Sequence, residues 1–598
     1  MRAGQHQVTG AGRGRTGKPA DDAVGRSRGT TEVSSMGRRK VLALAAPVLA
    51  AALTLSACGG GGGGGQLPQG DQKAGVNDIN PQPDDNIKDG GTLQFAIDSP
   101  SANWNQNQVD GNDVASARMS NTLEPWIFTE KADATLELNK DYLTSADVVS
   151  TSPQVLEFKI NPKAKWSNGR AMSWEDFEWQ WKAQNGTNPA YQPNTTTGYE
   201  NISKVERGSD DQDVKITFDK PFGEWKGLFS PLYPKELNSD PTEFNTGWVD
   251  EPKITGAAFK IGKIDLTAKT VSVVRDPNWW GKKPHLDGIL FKVLTRPTMP
   301  DAMQSGAIDV ADTNALLDAI TRYKTMQNVS LRQAVAPDTV HLTLNGGEGR
   351  ILADQKLRQI VFEAIDRKAI ANAEVGKITP NPPLLGNHIF AQGTKEYKDN
   401  SGDLKFSVDK AKTDLDALGW KQNGQFRSKD GKELDITYVS SSTPASDDTG
   451  KILQQQLAQV GVKVTINAVP TADFFPKYVN VGNFDLATFR WIGGSTPASG
   501  QKGAYSLDLA NPANVQQNYG HVGNKAINDA FNSAVAELDD TKRAQDVNDI
   551  DKMLWDVAGE LPLYQLPGAV ATKKTVANYG AMGFATNPID YINIGFTK

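Results

Sequence analysis

The chain of 598 residues contains one cysteine, Cys58. A lone thiol has no partner within the chain, so no internal disulfide framework is available and the fold must be held by its core. The length allows this, since about 100–200 residues per domain corresponds to roughly three lobes with a large buried interior. A chain disordered throughout is excluded, because 13 Trp, 13 Tyr and 21 Phe are too many aromatic residues for a polymer that never packs.

The place of that cysteine divides the chain. Residues 1–57 hold nine basic side chains (Arg2, Arg13, Arg15, Lys18, Arg26, Arg28, Arg38, Arg39, Lys40) against Asp21, Asp22 and Glu32, a balance of +6. The whole chain carries 64 basic and 70 acidic residues, so 55 basic and 67 acidic remain from Cys58 onward, a balance of −12. An acidic body disfavours nucleic acid as a partner, because phosphates need a basic face. From Met36 the sequence runs through Arg38-Arg39-Lys40 into an apolar stretch from Val41 to Leu55, then Leu55-Ser56-Ala57-Cys58 and Gly59 to Gly65. A basic region, an apolar run too short to span a bilayer comfortably and small residues before a cut form a secretory signal. Leu-Ser-Ala-Cys resembles the bacterial lipobox, which makes Cys58 the expected lipidation site and first mature residue. Two or three acyl chains anchor stably where one does not. Translation is expected to start at Met36. The glycine run begins a flexible tether that composition extends to residue 89. No stretch after Leu55 is long and apolar enough to cross a bilayer, so attachment is expected through Cys58 alone.

Beyond the tether the elements alternate. Thr92 to Ile97 and Phe484 to Phe489 read as strands. Leu434 to Val439, Lys451 to Val460 and Val462 to Ile466 read as a strand–helix–strand unit with parallel strands. Ligands in open α/β sheets sit beyond the carboxyl ends of strands. That rule nominates the loops Ser440-Ser441-Ser442-Thr443 and Trp491-Ile492-Gly493-Gly494-Ser495-Thr496. Ile527, Ala530, Phe531, Ala534, Val535 and Leu538 follow a helical period. A second helix is expected after Asp540-Thr541 with Val547, Ile550, Leu554 and Val557 inward, and then a strand at Leu561 to Tyr564.

The stretch Lys165-Trp166-Ser167-Asn168-Gly169-Arg170-Ala171-Met172-Ser173-Trp174-Glu175-Asp176-Phe177 combines a tight turn at Asn168-Gly169 with a capping box, Ser173 and Asp176, that starts a helix. Trp174, Phe177 and Trp181 share one face of that helix, as core packing requires, and Trp179 points elsewhere. The stretch resembles the signature W-S-D-G-x-P-(L/F)-T-A-x-D-V of the solute-binding proteins that serve oligopeptide and dipeptide ABC importers. Gly256 to Lys260 with Arg275 to Pro284, Ser305 to Asp309, Leu357 to Gln359 with Ala364 to Lys368, and Leu561 to Tyr564 are similar to further family motifs in the same order. This resemblance covers roughly residues 90–598. It implies an α/β fold of the large periplasmic-binding-protein type, with two α/β lobes, a two-segment hinge and an extra subdomain inserted in the first lobe. The implied division is leader 1–57, tether 58–89, lobe I from 90–120, 250–345 and 566–598, inserted subdomain 121–249, and lobe II 346–565. Hinge crossings are expected near His341 to Gly347 and Tyr564 to Ala571. A ligand would lie in the interlobe cleft, and closure would present it to a permease.

In oligopeptide-binding relatives a W-x-x-D run after a second-lobe strand supplies a carboxylate to the peptide ammonium. Here Trp491-Ile492-Gly493-Gly494 keeps the tryptophan and has glycine at the acidic position. Glycines there suit either a turn or the close approach of a bulkier ligand. The expected cleft residues are Trp491, Gly493, Gly494, Ser495, Trp126, Glu124 and Ser441. Enzymatic readings have little support: His285, His341, His388 and His521 lack metal-site spacing, and Ser407-x-x-Lys410 lacks its partner motifs and reads as a helix cap. No catalytic residue, metal or cofactor is expected. The function implied by the resemblance is a lipid-anchored, monomeric receptor on the extracytoplasmic face of the bacterial membrane. It would capture peptides for an ABC permease and its ATPase subunits. Alternatives are another elongated ligand, an oligosaccharide or glycolipid, or a regulatory lipoprotein of envelope assembly.

Overall fold

Two long strands, Val329–Leu344 and Glu560–Lys573, run antiparallel through the centre of a ten-stranded sheet and belong to both of its halves. The computed structural model describes residues 75–598 apart from positions 314, 315, 403, 512, 513 and 586. The leader, Cys58 and the glycine run lie outside the described residues. The pairing of the two strands runs from Val329 opposite Lys573 to Val335 opposite Pro567, breaks, and resumes from Thr339 opposite Gln565 to Thr343 opposite Glu560. Proline explains the interruption. Pro337 and Pro567 have no N–H to give to a ladder, and Pro562 stands at a second slip opposite His341.

On one side of the break lie Val310–Asp312, Thr92–Ile97, Gly288–Val293, Thr270–Arg275 and Phe259–Asp265, in that spatial order. On the other lie Leu486–Trp491, Asp435–Ser440 and Lys463–Ala468. Each half has its own apolar core. The first packs Leu93, Phe95 and Ile97 against Tyr579 and Tyr591, and the second packs Leu342, Leu344, Ile436 and Tyr438 against Leu453 and Leu457. The result is two α/β lobes joined by two crossing strands.

The strand–helix–strand unit of the second lobe is parallel, with Asp435 opposite Lys463 through Ser440 opposite Ala468. Its helix, Pro444–Gln459, starts seven residues before the expected Lys451. Periodicity begins only at Ile452, but the start is fixed by Thr443, whose side chain accepts the Ser446 N–H, with Pro444 in the first turn.

The inserted subdomain is a four-stranded antiparallel sheet of Leu143–Thr151, Gln154–Ile160, Asp213–Phe218 and Ile202–Arg207, covered by the helix Trp174–Gln184. The capping box forms as the sequence predicts. Phe177 is buried, Trp174 and Trp181 pack beside it, and Lys182 lies over the outward ring of Trp179. Trp166 donates to Asp176 at 3.1 Å, and Arg170 closes the same carboxylate at 2.6 Å, so this signature stretch is a structural clamp.

Residues 78–89, expected as tether, lie instead against the first lobe. Asp78 exchanges backbone hydrogen bonds with Ala581 and pairs with Arg332 at 3.0 Å, and Ile87 is buried. Composition alone hid this, because Ile87 is the one buried side chain of the segment and its other contacts are polar. The helices Lys525–Ala536 and Asp540–Val557 bury the predicted faces except for Ala530, which is half-buried, and Leu538, which falls in the turn between them. No helix among the described residues is long and apolar enough to cross a membrane.

Candidate functional site: the cavity between the lobes

Strand Leu486–Trp491 pairs antiparallel with the first crossing strand and ends with Trp491 opposite Thr339, beside the break in the ladder. The loop that follows therefore emerges at the crossing point. Ile492, Gly493, Gly494, Ser495 and Thr496 form one wall of a cavity of about 740 Å³. The opposite walls come from Asp133 to Leu136 and from Gly223 to Lys226 of the inserted subdomain. His388 to Ala391 and the helix residues Arg543, Ala544 and Val547 complete them. The volume suits a small-molecule or short-chain ligand. Charges of both signs stand in its walls: Asp133, Glu396 and Asp540 with Lys226, Lys395 and Arg543.

The two glycines in the loop differ. A Cβ on Gly493 would lie 2.6 Å from the Pro337 carbonyl oxygen, so the loop is pressed onto the crossing strand and only glycine fits. Its N–H also donates to Asp338, which pairs with Arg490 at 3.1 Å; burial raises the Asp338 pKa, opposed by Arg490. A Cβ on Gly494 meets nothing within 4 Å, so this glycine opens space in the cavity wall.

The subdomain reaches across to the second lobe through Phe222–Gly227. The Gly223 N–H donates to the Val535 carbonyl at 2.8 Å, and a Cβ there would lie 1.9 Å from the Glu537 carbonyl oxygen. Glu224 accepts the Ala498 N–H at 2.9 Å, the Ser499 N–H at 2.8 Å and the Ser499 hydroxyl at 2.5 Å. Its carboxylate thus sits at the N-terminus of helix Pro497–Tyr505, where free N–H groups and the helix dipole favour an anion. Burial raises the Glu224 pKa, and the Ser499 and Ala498 bonds with the charge of Arg543 oppose it. Phe222 and Trp225 share an apolar cluster with Ile527, Phe531 and Val547, so the contact is packed as well as hydrogen bonded.

Trp491 is turned away from the large cavity. Its Nε1–H donates to Glu560 Oε2 at 2.9 Å, and its ring stacks on His341 at 5.3 Å and Tyr519 at 6.1 Å. Trp491, Glu560 and Tyr519, with Phe489 and Tyr505, stand around a second cavity of about 20 Å³, and His388 stands in the walls of both. Tyr505 donates to Glu560 Oε1 at 2.7 Å. His388 faces an acceptor at each ring nitrogen: Asp551 Oδ1 at 2.7 Å from Nδ1, and the Glu560 carbonyl oxygen at 2.9 Å from Nε2. Burial opposes its charged form, but the hydrogen bond and charge of Asp551 prevail and raise its pKa. Burial lowers the pKa of His341, opposed by the charge of Glu560.

Of the sequence-nominated residues, Gly493, Gly494 and Ser495 line the large cavity and Trp491 the small one. Trp126, Glu124 and Ser441 line neither. Glu124 is buried, and desolvation raises its pKa well above the ordinary value. Ser441 lies in a loop whose hydroxyls cap the helix Pro444–Gln459, on a strand one place further from the crossing point than Leu486–Trp491. Sequence reasoning missed Glu224, Glu560, Tyr505 and His388. For Glu560 a signal existed: an acidic residue directly before the apolar strand Leu561 to Tyr564.

Two lobes on a pair of crossing strands, bridged by a third element beside the cavity between them, define a ligand-capturing protein of the periplasmic-binding type. The chain belongs to the bacterial extracellular solute-binding proteins, family 5, whose middle region matches residues 123–508. It is 36% identical over 581 residues, 96% of each chain, to the oligopeptide-binding protein OppA of Mycobacterium tuberculosis. It is 24% identical over 389 residues, 60% of each chain, to a probable monoacyl phosphatidylinositol tetramannoside-binding protein, LpqW, of the same species. Among solved structures it superposes on a periplasmic EDTA-binding protein, EppA, with a TM-score of 0.80 and 26% identity, covering 88% of this chain and 99% of that one.

Proposed function

We propose that this protein captures peptides in the interlobe cavity and delivers them to the permease and ATPase subunits of an ABC importer. The near full-length likeness to an oligopeptide-binding protein carries this reading, and the cavity of about 740 Å³ supports it. The chain acts by binding and release rather than by catalysis, as a monomer. The working division is lobe I (90–120, 250–337, 566–598), inserted subdomain (121–249) and lobe II (338–565), the first boundary moved back from residue 345 because Leu342 and Leu344 pack in the second lobe's core, with movement at the paired interruptions around Pro337 and Pro567. Cys58 carries the lipid anchor and holds the receptor on the extracytoplasmic face of the membrane. A strain lacking the protein should fail to take up short peptides as an amino-acid source and regain uptake with the wild-type gene. Unchanged uptake in the deletion strain contradicts the import role. Palmitate labelling that persists in Cys58→Ala contradicts the anchor.

A second reading, binding of a glycolipid, is favoured by the likeness to the tetramannoside-binding relative and by the open wall at Gly494.

A further inference from the structure

The segment that precedes the first strand touches more than the first lobe. From Asp78 onward it is joined to the C-terminal stretch: the Asp78 N–H donates to the Ala581 carbonyl at 2.8 Å, the Asn578 N–H to that of Asn80 at 3.0 Å and the Lys88 N–H to that of Phe596 at 2.8 Å. The Asp78 side chain also holds the first crossing strand. Its Oδ1 accepts from Arg332 at 3.0 Å and its Oδ2 accepts the Gln333 N–H at 3.0 Å. Both partners stand just before the interruption that follows Val335.

Upstream of Asp78 the chain enters a junction of three parts. A Cβ on Gly75 would lie 3.0 Å from the Gly393 carbonyl oxygen of the second lobe and 3.8 Å from Asp133 Cβ of the inserted subdomain. Gly75 has φ of +78°, which glycine adopts without strain. Beside it, a Cβ on Gly583 of the first lobe would lie 2.6 Å from the Val76 carbonyl oxygen and 3.1 Å from that of Ala132. Backbones therefore meet here with no side chain between them. The junction stands at the edge of the large chamber, because Asp133, Ala391, Thr394 and Phe584 line that chamber.

The second-lobe loop that Gly75 touches is itself tied to the hinge. The Gln392 N–H donates to Gln565 Oε1 at 2.9 Å, and Gln565 Nε2 donates to the Ala336 carbonyl at 2.7 Å. Gln565 is buried in the second crossing strand, and Ala336 lies inside the interruption. Prolines remove the ladder bonds there, so restraint has to come from outside the ladder. Asp78 holds one side of the interruption, Gln565 holds the other, and Gly75 against Gly393 connects the two holds.

We propose that residues 75–78 form a strap that joins the two lobes outside the crossing strands and restrains their opening, so that parting of Gly75 from Gly393 is a step in ligand release. Opening at the interruption carries Gly393 away with the second lobe while Asp78 keeps the strap on the first. The strap thus sets the share of the ligand-free population that is open.

Small-angle scattering of the ligand-free full chain and the dissociation rate of pentaalanine test the strap. Gly75→Val places a branched side chain between the strap and Gly393, and Asp78→Ala cuts the hold on Arg332 and Gln333. Each should give a larger radius of gyration than wild type and release pentaalanine about fivefold faster or more. Asp85→Ala, at an exposed position of the same segment, should match wild type in both. Wild-type scattering in both strap variants would overturn the strap, and a larger radius with unchanged release would overturn the release step. The release step rests on the peptide reading above: a wild-type chain that binds no pentaalanine contradicts that reading, while scattering still decides the strap. One variant adds bulk and the other removes it, so if either fails to fold the other remains as the test.

Discussion

The indole N–H of Trp491 donates to Glu560 at 2.9 Å, joining the end of a second-lobe strand to the start of the second crossing strand. The tryptophan that sequence reasoning aimed at a ligand in the main chamber is thus part of a buried polar cluster beside the hinge. Trp491→Phe keeps an aromatic ring in the stack and removes only the donor. It should destabilise the protein by about 1–3 kcal/mol, the cost of leaving a buried acceptor short of a partner. Ile492→Ala, at an exposed neighbour, should stay within about 0.5 kcal/mol of wild type. Equal effects of the two substitutions in denaturant unfolding would contradict the assignment of Trp491.

The paired glycines separate in the same way. Gly493→Ala forces a methyl group to within 2.6 Å of the Pro337 carbonyl oxygen, and it should cost about 1–3 kcal/mol of stability through strain at the crossing. Gly494→Ala meets no atom within 4 Å and should leave the melting temperature unchanged while altering ligand affinity. Thermal denaturation and titration calorimetry on the two variants check both halves of this statement.

Much of the fold was legible in the sequence. The alternation of Thr92 to Ile97, the capping box at Ser173 and Asp176 and the amphipathic helices near the C-terminus all form as read, because each is set by local periodicity or local hydrogen bonding. The length of the second crossing strand was not legible. Leu561 to Tyr564 extends to Glu560–Lys573, across Pro562, Pro567 and Gly568, which locally read as breakers. They are accommodated as slips in a ladder that only the partner strand reveals. The site was half legible: the rule of strand carboxyl ends found Gly493, Gly494 and Ser495, but it does not rank strands by distance from the hinge and so also nominated Ser441. Glu224 left no periodic trace, because its partner Ser499 is 275 residues away in the chain.

Glu224 should act as a latch. Its contacts with Ala498 and Ser499 join the subdomain to the second lobe across the cavity wall. Glu224→Ala removes three hydrogen bonds and leaves the helix N-terminus unpaired. Small-angle scattering of the ligand-free protein should then report a larger radius of gyration than wild type, and ligand dissociation should be about tenfold faster or more, since hydrogen bonds to a charged group contribute about 1.5–3 kcal/mol. Gly223→Ala, which would place a methyl group 1.9 Å from the Glu537 carbonyl oxygen, should shift scattering in the same direction. Unchanged scattering in both variants would contradict the latch.

His388 should give stability a pH dependence. Its pKa in the folded chain is raised above the ordinary histidine value of 6.5 by Asp551, against the effect of burial. A raised value means that the folded state holds the proton more tightly than the unfolded state does. The contribution is fully present below about pH 6.5 and is lost as pH rises through the folded value. Urea midpoints measured from pH 6 to pH 9 should fall for wild type, and His388→Gln should flatten that fall. A slope unchanged by the substitution would assign the dependence to other groups.

The chamber between the lobes is proposed to hold peptides. The most direct test is mass spectrometry of whatever is released when protein purified from its native host is denatured. A heterogeneous set of short peptides, at close to one equivalent per chain, is the predicted result. A single glycolipid mass with no peptide would contradict it.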